Sequence, residues 1–318
     1  MVEQSPVVEP VEATPFGTRL AAAMDTFGPL CVGIDPHPSL LAAWGLPDDV
    51  MGLREFSLGV VAALGGHVAA LKPQAAFYER HGSAGIAVLE ETLAAARRVG
   101  TLTIVDAKRG DIGSTMTGYA EAYLRDGSPL AGDALTVSPY LGFGSLRPAI
   151  DLALETGRGL FVLCLTSNPE GASVQHAHPS GSCDSLTLAQ DDVPPASFCA
   201  ERSGVAEPRT VAAAIAVQAT AINEGADPLG SIGLVVGATV GEAATNTGTN
   251  LVEVNGPLLA PGVGAQGAGP VELAQVFGPA RRNVLASSSR AVLAAGPSLT
   301  ALRAAAQQAA IEARTALR

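Results

Sequence analysis

The chain has 318 residues, 30 Asp+Glu against 19 Lys+Arg, a formal net charge of -11, and 47% hydrophobic side chains with only 4% aromatic. That acidic balance argues against a surface built for nucleic acid or an anionic membrane, so an anionic ligand must meet a local cluster of cations. Four cysteines with no C-x-x-C pair are too few for a disulfide scaffold, and no apolar stretch reaches the roughly 20 residues of a membrane span.

Residues 1–15 (MVEQSPVVEPVEATP) lack the basic start and apolar run of a signal peptide and read as a disordered tail before a single domain over 16–318, with a reducing cytoplasm as the expected location. From there, short β-branched or apolar runs alternate with Ala/Leu-rich segments of helical period. The predicted strands are LCVGID (30–35), HVAALK (67–72), TLTIVDAK (101–108), DALTVS (133–138), GLFVLCLT (159–166), SIGLVVGAT (231–239), GPLLAPG (256–262) and NVLASS (283–288). Helical patterns fill 83–99, 115–126, 144–157 and 210–225 between them. Eight βα repeats predict an α/β fold of the (β/α)8 TIM barrel type, with an open doubly wound sheet as the structural alternative. One connection is anomalous. Residues 172–209, rich in Pro, Ser, Asp and His, separate the fifth strand from its helix and exceed the length of an ordinary βα loop; they are expected to be a disordered or loosely docked insertion on the C-terminal face of the barrel.

Run after run ends in a polar residue: Asp35, Lys72, Asp106 and Lys108, Ser138, Ser167, Thr239, a Pro-Gly pair, then Arg290. In a barrel these strand ends converge on one mouth, where active sites lie. Asp106 and Lys108 stand two apart on a strand and are expected to project side by side, with Asp111 following. Such a charged array tunes the proton affinities of its own members, although a structural ion-pair network accounts for the spacing as well.

Several patterns carry less. Arg109-Gly110-Asp111 spells an adhesion tripeptide in a chain with no secretion pattern. Residues 262–267 satisfy G-x-G-x-x-G, yet no acidic residue stands about 20 positions onward to hold a ribose, so a phosphate cradle completed by Arg290 is the better reading. His176, His178, Cys183 and Cys199 follow no standard zinc spacing, so no metal is expected. His37 and His81 read as loop residues, and His67 as a residue of the barrel's stabilising end.

With these segments assembled, the chain resembles the orotidine 5'-phosphate decarboxylase family, in its longer bacterial branch. The D-x-K-x-x-D signature stands as Asp106-Ala-Lys108-Arg-Gly-Asp111, and GIDPHP (33–38), LKPQAAFYE (71–79), SPYLGFGSL (138–146), TSNPEG (166–171) and PGVGAQG (261–267) keep the family's order. The resemblance implies a homodimer with shared active sites, and conversion of orotidine 5'-phosphate to uridine 5'-phosphate and carbon dioxide without metal or organic cofactor. It implies that Asp35 and Lys72 hold ribose hydroxyls, that Asp106 and Lys108 stand at the reacting carbon, and that Asp111 and Thr115 come from the other subunit. Ser167 would bind the pyrimidine, Gln266 and Gly267 would bridge base and phosphate, and Ser289 with Arg290 would take the phosphate. A metal-dependent sugar-phosphate decarboxylase of the same superfamily and a non-catalytic phosphate-ligand-binding barrel are the alternatives.

Overall fold

The computed structural model describes residues 14–178, 209–263 and 268–317. Eight strands follow the predicted runs: β1 Leu30–Ile34, β2 Ala70–Pro73, β3 Leu102–Arg109, β4 Ala134–Val137, β5 Gly159–Leu165, β6 Ile232–Val236, β7 Leu258–Pro261 and β8 Val284–Ser288. Each pairs in parallel with its neighbour, and β8 returns to β1, so the sheet closes in the order β1 to β8. The open-sheet alternative is thereby excluded. Continuous apolar runs suit these strands because both of their faces are covered. Strand β2 begins at Ala70 rather than at His67, which precedes it.

The predicted helical patterns appear as Gly82–Arg98, Gly113–Leu124, Arg147–Glu155 and Val211–Ile222, the last capped by Thr210 Oγ1 accepting from the Ala213 N–H. A further helix, Phe16–Phe27, lies across the N-terminal end of the barrel. Its Phe16, Leu20 and Met24 enter the cluster formed by Cys31, Ala70, Ile104, Ala134, Phe161, Val235, Leu259 and Leu285. Phe16 meets Phe161 edge to face at 5.9 Å, and a Cβ on Gly159 would stand 2.1 Å from the Phe16 ring, so this strand start admits only glycine. With that end plugged, the opposite mouth is the one left for a ligand.

The long connection after β5 is described at its edges. Residues 172–175 form a short helix, and the Val211 N–H donates to the Ala177 carbonyl at 3.0 Å. The described ends of the connection therefore meet. The core of the predicted insertion, with Cys183 and Cys199, lies outside the described residues.

Candidate active site

Lys72, at the end of β2, and Asp106, in β3, form the centre of the mouth. Lys72 Nζ donates to Asp106 Oδ2 at 2.7 Å, and Lys108 Nζ to Asp106 Oδ1 at 2.6 Å. The two partners differ in setting: the Lys72 side chain is 7% exposed and that of Lys108 44%. Lys72 anchors the carboxylate from within, while Lys108 faces the open mouth.

Burial by itself favours the neutral form of both Lys72 and Asp106, but their mutual attraction outweighs it. The carboxylates of Asp106 and Asp35 raise the Lys72 ammonium above its ordinary value. The ammonium groups of Lys72 and Lys108 hold the Asp106 carboxyl well below the usual carboxylate range. Asp106 is therefore a fixed anion, and Lys72 a fixed cation, across the neutral pH range.

The expected side-by-side projection of Asp106 and Lys108 is realised by a different backbone from a regular strand. Lys108 has φ +48, and the register of β3 against β4 shifts between Val105 and Arg109. A bulge thus re-aims the lysine. Thr136 of β4 holds this arrangement, accepting from the Lys108 N–H at 2.9 Å and donating to Asp106 Oδ1 at 2.9 Å. Thr136 is the site residue that sequence reasoning missed; its one signal was an inward position two residues before the end of the DALTVS run.

Asp35, directly after β1, leaves Oδ1 buried without a hydrogen-bond partner among the described residues, an acceptor open to a ligand hydroxyl. A Cβ on Gly33 would stand 2.1 Å from Ser289 Oγ and 2.8 Å from Asp35 Oδ2, so glycine there lets the β1 and β8 ends approach. Ser289 and the exposed Arg290 follow β8 at the same mouth. Ser167 is exposed just beyond β5.

Asp111 and Thr115 do not join the array within one chain. Asp111 Oδ1 accepts from the Ile112 N–H at 2.8 Å, and Thr115 is exposed in the first turn of helix Gly113–Leu124. Gln266 and Gly267 lie outside the described residues; their loop leaves and re-enters through a bridge between Val263 and Ala268.

The remaining signals have ordinary explanations. Arg109 of the adhesion-like tripeptide is held by Glu79 and Tyr123. His37 packs on Phe77, and His67 borders a cleft at the opposite end of the barrel. Burial pushes the Cys31 and Cys164 thiols up to about 12, so neither ionises readily. Among the described residues no group of three or more His, Cys, Asp or Glu is placed to hold a metal ion, and no helix is long and apolar enough to cross a membrane.

Comparison with known proteins agrees with this geometry. A sequence model described as the orotidine 5'-phosphate decarboxylase / HUMPS family matches residues 28–305. The orotidine 5'-phosphate decarboxylase of Streptomyces coelicolor is 55% identical over 303 residues, covering 95% of this chain and 98% of that protein. That of Salinispora arenicola is 54% identical over 302 residues, with coverage of 95% and 98%. A Streptomyces avermitilis crystal structure provisionally given the same name superposes with a TM-score of 0.85 at 55% identity, covering 98% of this chain and 99% of that one. With a barrel whose mouth carries Lys72 beside Asp106 and Lys108 of the D-x-K-x-x-D signature, and with relatives matched along nearly their whole length, the chain belongs to the orotidine 5'-phosphate decarboxylase / HUMPS family.

Proposed function

We propose that the chain converts orotidine 5'-phosphate to uridine 5'-phosphate and carbon dioxide, the last step of de novo pyrimidine synthesis, in the cytoplasm and without metal or organic cofactor. The observation that carries this reading is the Lys72–Asp106–Lys108 array, an anion fixed between two ammonium groups with one of them facing the open mouth.

Loss of carbon dioxide breaks the bond between the carboxylate and an sp² ring carbon and leaves the electron pair on that carbon. No ring group delocalises it, so the barrier must be lowered by charge already in place. The Lys108 ammonium supports the developing carbanion and then gives it a proton, completing the C–H bond of the product. Asp106, held ionised, faces the substrate carboxylate, and its repulsion favours departure of carbon dioxide.

Asp35 and Lys72 take the ribose hydroxyls, Ser167 the pyrimidine, Gln266 and Gly267 the base and phosphate, and Ser289 with Arg290 the phosphate. These contacts lie away from the reacting carbon, and their binding energy stabilises a closed site. Asp111 and Thr115 serve the neighbouring subunit of a homodimer. The exposure of Thr115 supports this, as do Ile112, Tyr140 and Leu141, which are 62, 77 and 53% exposed after β3 and β4. Large apolar side chains left bare beside a reactive mouth are expected of a surface that a second copy covers.

The test is the absorbance of orotidine 5'-phosphate in the presence of purified protein, with and without chelator. Decay in both supports the proposal. Decay abolished by the chelator and restored by magnesium supports the metal-dependent alternative instead, and binding of uridine 5'-phosphate without any decay supports the non-catalytic one.

A further inference from the structure

Arg109 stands next to Lys108, yet its guanidinium serves the layer behind the barrel mouth. It pairs with Glu79, at the end of the short helix Ala76–Glu79 that follows β2. It donates to Tyr123 Oη at 3.1 Å, and its Cζ lies 5.4 Å from the Tyr119 ring centroid and 5.6 Å from that of Tyr123. Both tyrosines belong to helix Gly113–Leu124, which begins two residues after Asp111. The Arg109 carbonyl accepts from the Ser138 N–H at 2.8 Å, and a Cβ on Gly110 would stand 2.4 Å from the Ser138 carbonyl oxygen. Segment 109–110 is thus pressed against the end of β4.

This clamp bears directly on the reactive lysine. A positive φ is uncommon outside glycine and persists only where the surroundings hold it. Lys108 is held in that conformation on one side by its N–H bond to Thr136 and on the other by the anchored Arg109. Arg109 Nε is buried without an acceptor among the described residues, so the ion pair, the tyrosine hydroxyl, the stacking and a longer bond from Nη1 to the Ala107 carbonyl at 3.4 Å carry its hold. Arginine suits the post because a planar fork can pair and stack at once, which an ammonium cannot.

We infer that Arg109 is a positioning residue for the decarboxylation chemistry: by tying the turn after β3 to Glu79 and to Tyr119 and Tyr123, it sets where Lys108 and Asp111 are presented without touching the ligand. This rests on the roles proposed above for Lys108 and Asp111. Since Lys108 serves its own mouth and Asp111 the neighbouring one, one side chain adjusts two sites.

The experiment compares Arg109→Met, Arg109→Lys, Glu79→Gln and Tyr123→Phe with the unaltered protein and Lys108→Ala. It measures kcat and KM for orotidine 5'-phosphate, uridine 5'-phosphate affinity and Tm. Small displacements of a reacting group are costly, so Arg109→Met is expected to lower kcat by about 30-fold or more, with KM and product affinity within about threefold. Arg109→Lys keeps the ion pair but not the stack, so it should recover part of that loss; Glu79→Gln and Tyr123→Phe should each lower kcat by about three- to tenfold. A lower Tm with kcat per folded molecule unchanged in Arg109→Met overturns the inference. If that variant does not fold, Glu79→Gln and Tyr123→Phe decide, and kcat within about twofold of the unaltered protein in both overturns it. An active Lys108→Ala refutes the role of Lys108 itself, a result distinct from a silent Arg109.

Discussion

Lys72 Nζ donates to Asp106 Oδ2 at 2.7 Å between side chains that are 7 and 9% exposed, joining β2 to β3 beneath Lys108. Opposite charges this far from water stabilise a fold only when each keeps its partner, and removal of one costs about 3–5 kcal/mol because the other remains buried and uncompensated. The pair is therefore a structural foundation as well as part of the site.

Its pH dependence follows from the two displaced pKa values. The folded-state pKa of Asp106 is lowered, so its contribution is fully present above the unfolded value of about 3.9 and is lost as the pH falls through the folded value. That of Lys72 is raised, so its contribution is present below about 10.4 and is lost only as the pH rises through the folded value. Asp106→Asn should be markedly less stable than the unaltered protein at neutral pH, with the gap narrowing below about pH 3.9. Thermal melts from pH 2.5 to 7 check this; a gap independent of pH would contradict the ionised, paired state of Asp106.

Lys108→Ala should abolish turnover while product affinity stays within about tenfold, since a charge that supports the transition state contributes little to ground-state binding. Single-turnover kinetics and a uridine 5'-phosphate titration measure the two quantities separately. Retained decarboxylation would remove Lys108 from the chemistry.

Thr136→Val keeps the shape of the side chain and removes both of its hydrogen bonds, leaving the Lys108 N–H without its acceptor. An unmet polar group of this kind costs about 1–3 kcal/mol. We expect lower stability together with a kcat reduced about tenfold, because the bulge that aims Lys108 loosens. Equal kcat values by steady-state assay would show that the bulge holds without Thr136.

How far the site could be read from residues alone is clear in this same corner. The strand end carrying Asp106 and Lys108 was legible because two charges abut an apolar run, and the closed barrel because eight such runs alternate with helices. The backbone of Lys108 was not, since a left-handed lysine has no sequence signature when glycine is absent. Thr136 escaped because a threonine inside a β-branched run reads as an ordinary strand residue; only the closure of β3 against β4 brings its hydroxyl to Asp106. Helix Phe16–Phe27, which plugs the far end, was not among the predicted helices, because it precedes the first strand and so lies outside the βα alternation.

Arg290 is exposed after β8, beside Ser289, whose Oγ would stand 2.1 Å from a Cβ on Gly33 of β1. Its planar fork of donors matches phosphate oxygens. Arg290→Ala should therefore weaken binding of uridine 5'-phosphate by about 2 kcal/mol or more, the scale of a hydrogen bond to a charged group. Uridine itself should bind as before. Calorimetric titrations with both ligands distinguish the outcomes, and equal losses would place Arg290 away from the phosphate.

Asp111 and Lys108 are three residues apart, yet no ion pair among the described residues joins them; Asp111 turns instead to the Ile112 N–H. If Asp111 completes the neighbouring subunit's site, Lys108→Ala and Asp111→Ala chains, each inactive as homodimers, should complement one another. A mixed dimer would hold one site with both defects and one with neither. After random subunit exchange of equal amounts, half of the dimers would be mixed, each with one intact site, so activity should recover to about one quarter of that of the unaltered protein. Exchange is followed by native mass spectrometry of differently tagged chains and activity by orotidine 5'-phosphate absorbance. Full exchange without recovery would confine Asp111 to its own subunit and end the shared-site proposal.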